Sequence, residues 1–306
     1  MPLEPPPTPW ALSRPPDDHP HDAWAFGADL APGTVLCAYR LGVFPMRVEG
    51  DLLWWSPARR AVIPVAGFAA SRSLRRAARG YEIKVDRAFA DVIQGCSDPA
   101  RPHGWIDQSF VDGYSELHRL GWVHSVEAWD DDGLAGGLYG VGIGGLFAAE
   151  SKFHRRPGAS KAALLALILR MEAAGGPRLL DVQWMTPHLR SLGAVEVTRA
   201  EYRVLLDEAI CSPDMFGQLV GQDTSRLDGA SAQCGTGPGR RLRQAADVVR
   251  EPDHEQHQHE PDADDRDALV DTPGDRPSAR ALDDRKDDVP TVEREERQEV
   301  EQRNRE

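Results

Sequence analysis

The stretch that most limits what this chain can fold into runs from Leu134 to Ala194. Its first part, Leu134 to Ser151, is two apolar runs divided around Gly142, Gly144 and Gly145, the pattern of a β-hairpin with a glycine turn. That pattern puts Glu150 near a strand end. Ser160 then caps a segment in which Leu164, Leu165, Ile168 and Met171 recur at helical spacing before Gly175 and Gly176, so a helix that buries one stripe is expected. A short apolar strand from Leu179 to Met185 follows, carrying Asp181 and Gln183. In an extended chain, residues two apart share a face, so carboxylate and carboxamide point the same way. An edge strand turning its polar face to water would give the same pair.

Composition divides the rest of the chain. From Gly217 to Glu306 there is no aromatic residue, and residues 221–306 hold 23 Asp and Glu against 14 Lys and Arg, a net of −9 out of the total −13. A segment this polar cannot bury enough apolar surface to offset the entropy of ordering, so a disordered acidic tail is expected over 221–306. The remaining net of −4 over residues 1–220, from 26 acidic and 22 basic residues, leaves a phosphate-bearing partner open, which a uniformly acidic chain would disfavour. Residues 1–23 are rich in proline and acid and read as an irregular leader, with order beginning near Trp24. Cys37, Cys96, Cys211 and Cys234 form no CxxC, so neither a disulfide framework nor a zinc ribbon is suggested. No signal peptide and no run of membrane-spanning length is evident, and a cytoplasmic protein is expected.

Between leader and tail, Pro32 opens a helix ended by Gly42, and Leu52 to Pro64 is strand-like; together these make a small amino-terminal domain over 24–65. Arg72, Arg75, Arg76 and Arg79 stand at i, i+3, i+4 and i+7, one face of a helix. Such a face is either solvated or set against phosphates. Ala88 to Ile93 and Gln108 to Leu120 read as helices, His124 to Trp129 as a strand, and Asp130 to Asp132 as a turn with no calcium-loop spacing. His254, His257 and His259 in the tail fit a flexible acidic segment better than a metal site.

The motifs ESKF, ASKAAL, DVQ, TPHL and SLGA, in this order, together with GADL, AYRLGVFP, WWSP, RAVIP, GWI, LHRLG and HSVE before them, resemble those of the leucyl/phenylalanyl-tRNA–protein transferases. The resemblance spans about Asp29 to Phe216. It implies an α+β chain: a small amino-terminal α/β domain, then an acetyltransferase-like (GNAT-like) mixed-sheet domain over 66–220. It also implies an enzyme that moves leucine or phenylalanine from aminoacyl-tRNA to the N-terminal arginine or lysine of an acceptor protein, marking it for N-end rule degradation. The catalytic residues implied are Asp181, Gln183 and Glu150, with Glu150 attracting the basic acceptor residue. Trp105, Tyr114, Leu138, Phe147, Leu167 and Met171 would wall the site for the apolar side chain and terminal adenosine. Arg72, Arg75, Arg76 and Arg79 would meet the tRNA. No cofactor, metal or membrane partner is implied, and the protein is expected as a monomer. Met46, Ala149 and Lys152 depart from the family's residues, and Lys152 either neutralises Glu150 or snorkels outward.

Nothing in the chain suggests another catalytic apparatus, since nucleophile elbow, HExxH, P-loop and dinucleotide fingerprints are all missing. An aminoacyl ester is already activated, so transfer requires a positioned amine and a place for its proton. In that scheme Asp181 holds the NH2 end of Gln183, and the Gln183 oxygen orients the amine. A non-catalytic tRNA-binding protein, or an N-acyltransferase with another donor, are the alternatives. GVGIGG lacks the loop that cradles coenzyme A pyrophosphate.

Overall fold

Glycines and prolines set the boundaries of most elements in the computed structural model, which describes residues 2–48, 50–98 and 105–216. The tail from 221, with Cys234 and its three histidines, lies outside the described residues. In chain order the elements are β1 (Ala23–Phe26), α1 (Pro32–Leu41), β2 (Phe44–Val48), β3 (Asp51–Trp55), β4 (Arg59–Ile63), α2 (Arg72–Ala78), β5 (Glu82–Val85), α3 (Phe89–Cys96), α4 (Gln108–Arg119), β6 (Val123–Asp130), β7 (Gly133–Ile143), β8 (Leu146–His154), α5 (Ala159–Ala174), β9 (Leu179–Asp181), α6 (Pro187–Ser191), β10 (Val195–Thr198) and α7 (Arg199–Ile210). This is a mixed α/β chain.

The strands form two sheets, one of order β1-β3-β2 and a seven-stranded one of order β10-β4-β9-β8-β7-β6-β5. β4, expected in the small amino-terminal domain, instead belongs to the larger sheet, where Val62 pairs with both Asp181 and Val195. The hairpin predicted around the glycines is β7–β8, with its turn at Gly144, φ 59°. A Cβ on Gly144 would lie 2.6 Å from the Ser212 carbonyl oxygen, so the turn and the end of α7 approach only because that atom is missing.

β8 and β9 are the parallel pair of the seven-stranded sheet. Parallel neighbours need a crossover, and α5 supplies it. Its N-cap is Gly158 at φ 82° rather than Ser160, which is buried inside the helix. Leu164, Leu165, Ile168 and Met171 are all buried, but not as one stripe: Leu164, Ile168 and Met171 face the sheet, whereas Leu165, with Ala159 and Ala162, meets Leu74 and Ala78 of α2.

Successive strand residues go to opposite faces. Leu138, Phe147 and Leu180 pack under α5 with Leu167 and Met171. Tyr139, Val141 and Ala148 pack on the other face with Tyr39 of α1, Val92 of α3, Tyr114 of α4 and Leu206 of α7.

Residues 2–22 hold no helix or strand and β1 begins at Ala23, yet the leader is tied to the rest of the chain ahead of that strand. Buried Arg199 donates to the carbonyls of Pro16 (3.2 Å), Asp17 (3.3 Å), His19 (2.8 Å), His21 (3.0 Å) and Ser56 (2.6 Å). Arg14 pairs with Asp207 and Arg40 with Glu4. Polar composition did not foretell this, because the leader is held largely by its backbone oxygens and by ion pairs to distant elements. Cys37, Cys96 and Cys211 are free thiols, and no described helix is long and apolar enough to cross a membrane.

Candidate active site

Two features of the large sheet place Glu150 and Gln183 side by side. In the parallel pair Ala148 stands opposite Asp181, so Glu150 and Gln183 are each two residues further on, where β9 has ended and the strands part. In the hairpin Gly140 pairs with Ala149 and Tyr139 with Ser151, which leaves Glu150 as an extra, unpaired residue. Such a bulge re-aims side chains. Glu150 therefore sits within β8, not at its end, and turns to the face that carries Tyr114.

The chain after Asp181 is not extended, because Gln183 adopts φ 58°, one of three positive values among the described non-glycine residues. That conformation is costly for an L side chain and persists only where the surroundings impose it. Here Val182 N donates to Ala61 O (3.0 Å), Ala61 N to Gln183 O (2.9 Å), and Gln183 N to Asp181 Oδ1 (3.0 Å). Trp184 follows, its ring edge-on to Phe44 and Trp55 at 4.8 and 5.5 Å, and its Nε1 donates to Asp22 (3.3 Å).

The expected bond between Asp181 and the Gln183 amide does not form. Gln183 Nε2 donates instead to Glu150 Oε1 (3.3 Å), since the left-handed turn swings the side chain away from Asp181. Asp181 is fully buried, and it accepts from Arg60 Nε (2.8 Å) and Nη2 (2.6 Å), from the Tyr202 hydroxyl (2.8 Å) and from the Gln183 backbone. Burial pulls the Arg60 guanidinium down, but the charge and hydrogen bond of Asp181 together with Tyr202 and Tyr39 outweigh this and raise it above its ordinary value.

Glu150 Oε2 accepts from Tyr114 OH (3.2 Å), whose oxygen is 2.8 Å from Tyr39 OH. With the Tyr114 proton directed at Glu150, Tyr39 donates to Tyr114. Burial, followed by the charge of Glu150, pushes both phenols well above their ordinary range, so both stay protonated donors. Burial also raises Glu150 to about 7, against the Tyr39 and Tyr114 hydroxyls and Arg60, which lower it, and with Asp181, which adds to the rise. A carboxyl poised near 7 can change charge under working conditions. Lys152 stands opposite Leu138 on the α5 side of the sheet, and the bulge thus separates it from Glu150.

The six residues expected to form one wall are divided by the sheet. Leu138 and Phe147 of the sheet pack against Leu167 and Met171 of α5, each at most 2% exposed. Trp105 and Tyr114 are on the Glu150 side, Trp105 edge-on to Phe110 at 5.0 Å. Spacing alone could not reveal this, because Leu138 and Tyr114 belong to different elements whose sides only the tertiary fold decides. The arginine face is present: Arg72, Arg75 and Arg76 on α2 and Arg79 at its C-cap are all exposed. Arg75 also donates to Ala70 O (2.8 Å).

Arg60, Tyr202, Tyr39 and Trp184 were not singled out from the sequence as site residues. A signal existed for Arg60, an arginine heading the apolar run Ala61 to Val65, since a charge in a buried strand requires a partner. Among the described residues no group of three His, Cys, Asp or Glu side chains could hold a metal ion.

Comparison with known proteins gives a consistent set of relatives. The N-terminal domain model of the leucyl/phenylalanyl-tRNA protein transferases matches residues 28–58, and their main domain model matches residues 62–207. The leucyl/phenylalanyl-tRNA–protein transferase of Herpetosiphon aurantiacus is 48% identical over 187 residues, covering 60% of this chain and 96% of its own. The protein of that name from Ruegeria is 48% identical over 192 residues, 61% of this chain and 90% of its own. That from Syntrophotalea carbinolica is 44% identical over 210 residues, 66% and 91%.

Proposed function

Because the chain belongs to the leucyl/phenylalanyl-tRNA–protein transferase family, we propose that its site joins leucine or phenylalanine, carried on tRNA, to the N-terminal arginine or lysine of an acceptor protein. The chain is an aminoacyltransferase, and aminoacyl-tRNA and protein are its substrates. The observation that carries the site assignment is the Glu150–Gln183 pair at the parting of β8 and β9.

The Gln183 amide spends its NH2 end on Glu150, which leaves Oε1 to accept from the incoming α-amino group and to aim its lone pair at the ester carbonyl. Once ionised, Glu150 draws the Gln183 N–H and makes Oε1 a better acceptor. The same negative charge favours a basic first residue on the acceptor. A free α-amino group has a pKa of about 7.7 to 8.0, so it must shed a proton before attack. As the peptide bond forms, the ester bond to the ribose oxygen breaks, and the neighbouring ribose 2′-hydroxyl can relay the proton released by the amine to that leaving oxygen. Asp181 serves by holding the turn.

Trp105 and Tyr114 are assigned to the terminal adenosine. Leu138, Phe147, Leu167 and Met171 are assigned to the apolar side chain, reached from the α5 side at Ala149, one residue from Glu150. All four are closed to solvent, so entry requires repacking beneath α5. Burying a leucyl or phenylalanyl side chain there is worth roughly 1.5 to 3 kcal/mol. Arg72, Arg75, Arg76 and Arg79 face tRNA phosphates. The seven-stranded sheet with its β8–α5–β9 crossover is read as the acetyltransferase-like domain. The β1-β3-β2 sheet is read as the core of the small one, in a cytoplasmic monomer.

The test is incubation with leucyl-tRNA and a peptide beginning with arginine. Leucine should appear at the peptide's amino terminus, and Gln183→Ala should slow single-turnover transfer. Transfer at the wild-type rate by Gln183→Ala would remove the residue from the chemistry.

A further inference from the structure

A carboxylate as fully bonded as Asp181 has no lone pair to offer a substrate. Its four bonds come from Arg60 (two), Tyr202 and the Gln183 backbone, and its side chain is completely buried. We propose that Arg60 and Tyr202 are positioning residues for aminoacyl transfer: by fixing Asp181 they hold the Gln183 backbone in the left-handed conformation from which its side chain reaches Glu150. This rests on the transferase reading of the site.

Each link is visible in the geometry. Asp181 Oδ1 is shared between Arg60 Nε and Gln183 N, and Oδ2 between Arg60 Nη2 and Tyr202 OH. A rotation of the carboxylate would therefore break the Gln183 bond together with the others. Arg60 cannot follow such a rotation, because its guanidinium lies between the rings of Phe44 at 4.4 Å and Tyr202 at 4.6 Å. Tyr202 is itself anchored in the first turn of α7, which Thr198 and Glu201 close with a reciprocal capping box. Burial keeps its phenol protonated and hence a donor to Asp181. A strained φ costs free energy wherever it is not imposed. Loosening Asp181 should thus let Gln183 relax toward the ordinary region and lose Glu150. A lysine at position 60 would keep the charge but not the two parallel bonds or the ring stacking.

The experiment compares wild type, Tyr202→Phe, Gln183→Ala and the double variant by single-turnover transfer from saturating leucyl-tRNA, with donor binding measured separately. Tyr202→Phe keeps the ring over Arg60 and removes only the hydroxyl. Its rate should fall about tenfold with donor affinity unchanged within about twofold, and it should add less than about twofold to the loss in Gln183→Ala, since residues acting through one another are not additive. A Tyr202→Phe rate within about twofold of wild type overturns the proposal, and so does a full additional loss in the double variant or a matching loss of donor binding. A wild-type chain that transfers nothing overturns the transferase reading itself, an outcome distinct from an active wild type with an unaffected Tyr202→Phe.

Discussion

Replacing Glu150 with glutamine should make the protein more stable above neutral pH and leave it unchanged in acid. The ordinary carboxyl value is 4.5, and burial, aided by the charge of Asp181 and opposed by the Tyr39 and Tyr114 hydroxyls, lifts Glu150 to about 7 in the folded chain. Below the lower value the group is protonated in both states and contributes no difference. As pH rises between the two values the unfolded chain loses its proton while the folded chain keeps it, so stability falls through this window and levels off above about 7. At about 1.4 kcal/mol per pH unit, the whole window is worth about 3 kcal/mol. Glutamine has nearly the same shape and cannot ionise. It can still meet Tyr114 through its oxygen, and Gln183 can turn its amide to suit. The measurement is urea denaturation of wild type and Glu150→Gln at about pH 4.5 and about pH 8.5. The variant's advantage should grow from near zero to about 3 kcal/mol. An advantage that is the same at both pH values, or a variant less stable at the higher one, would refute the burial argument. The same variant should transfer poorly, and wild-type transfer should rise with pH through about 7, because the ionised carboxylate polarises Gln183.

Leu167→Ala should cost about 2 to 5 kcal/mol by calorimetry or urea melt, as a buried truncation under α5, and should favour phenylalanyl over leucyl donors in competition; an unchanged donor ratio would count against the α5 wall. Replacing Arg72 and Arg76 together should weaken tRNA binding and lower the slope of log affinity against log salt by up to about 2, read from a salt titration; an unchanged slope would return them to a solvated face. Arg199→Met should lower stability by at least about 3 kcal/mol in urea, because several leader carbonyls lose a charged donor worth roughly 1.5 to 3 kcal/mol each; a loss under about 1 kcal/mol would mean the leader is not held there.

Much of the fold was legible because it is written in local rules. The glycine hairpin, the apolar helix after it and the strand that follows depend on turn chemistry and on periods of two and 3.6, which each segment carries in itself. The order of motifs from GADL to SLGA likewise pointed to the family, and Glu150, Gln183 and Asp181 all lie at the junction of β8 and β9. Partnership within that junction is another matter. Asp181 and Gln183 share a strand face only if the chain stays extended, and whether it does is decided by Ala61, Asp181 and Trp184 contacts that no local spacing encodes. Arg60 and Tyr202 come from positions 121 and 21 residues away from Asp181. The bulge at Glu150 exists only relative to β7. Local sequence therefore determined which elements form and which polar residues fall near one another. Only the tertiary structure decided which side chain holds which, since a buried hydrogen bond is set by the direction of approach of elements distant in the chain.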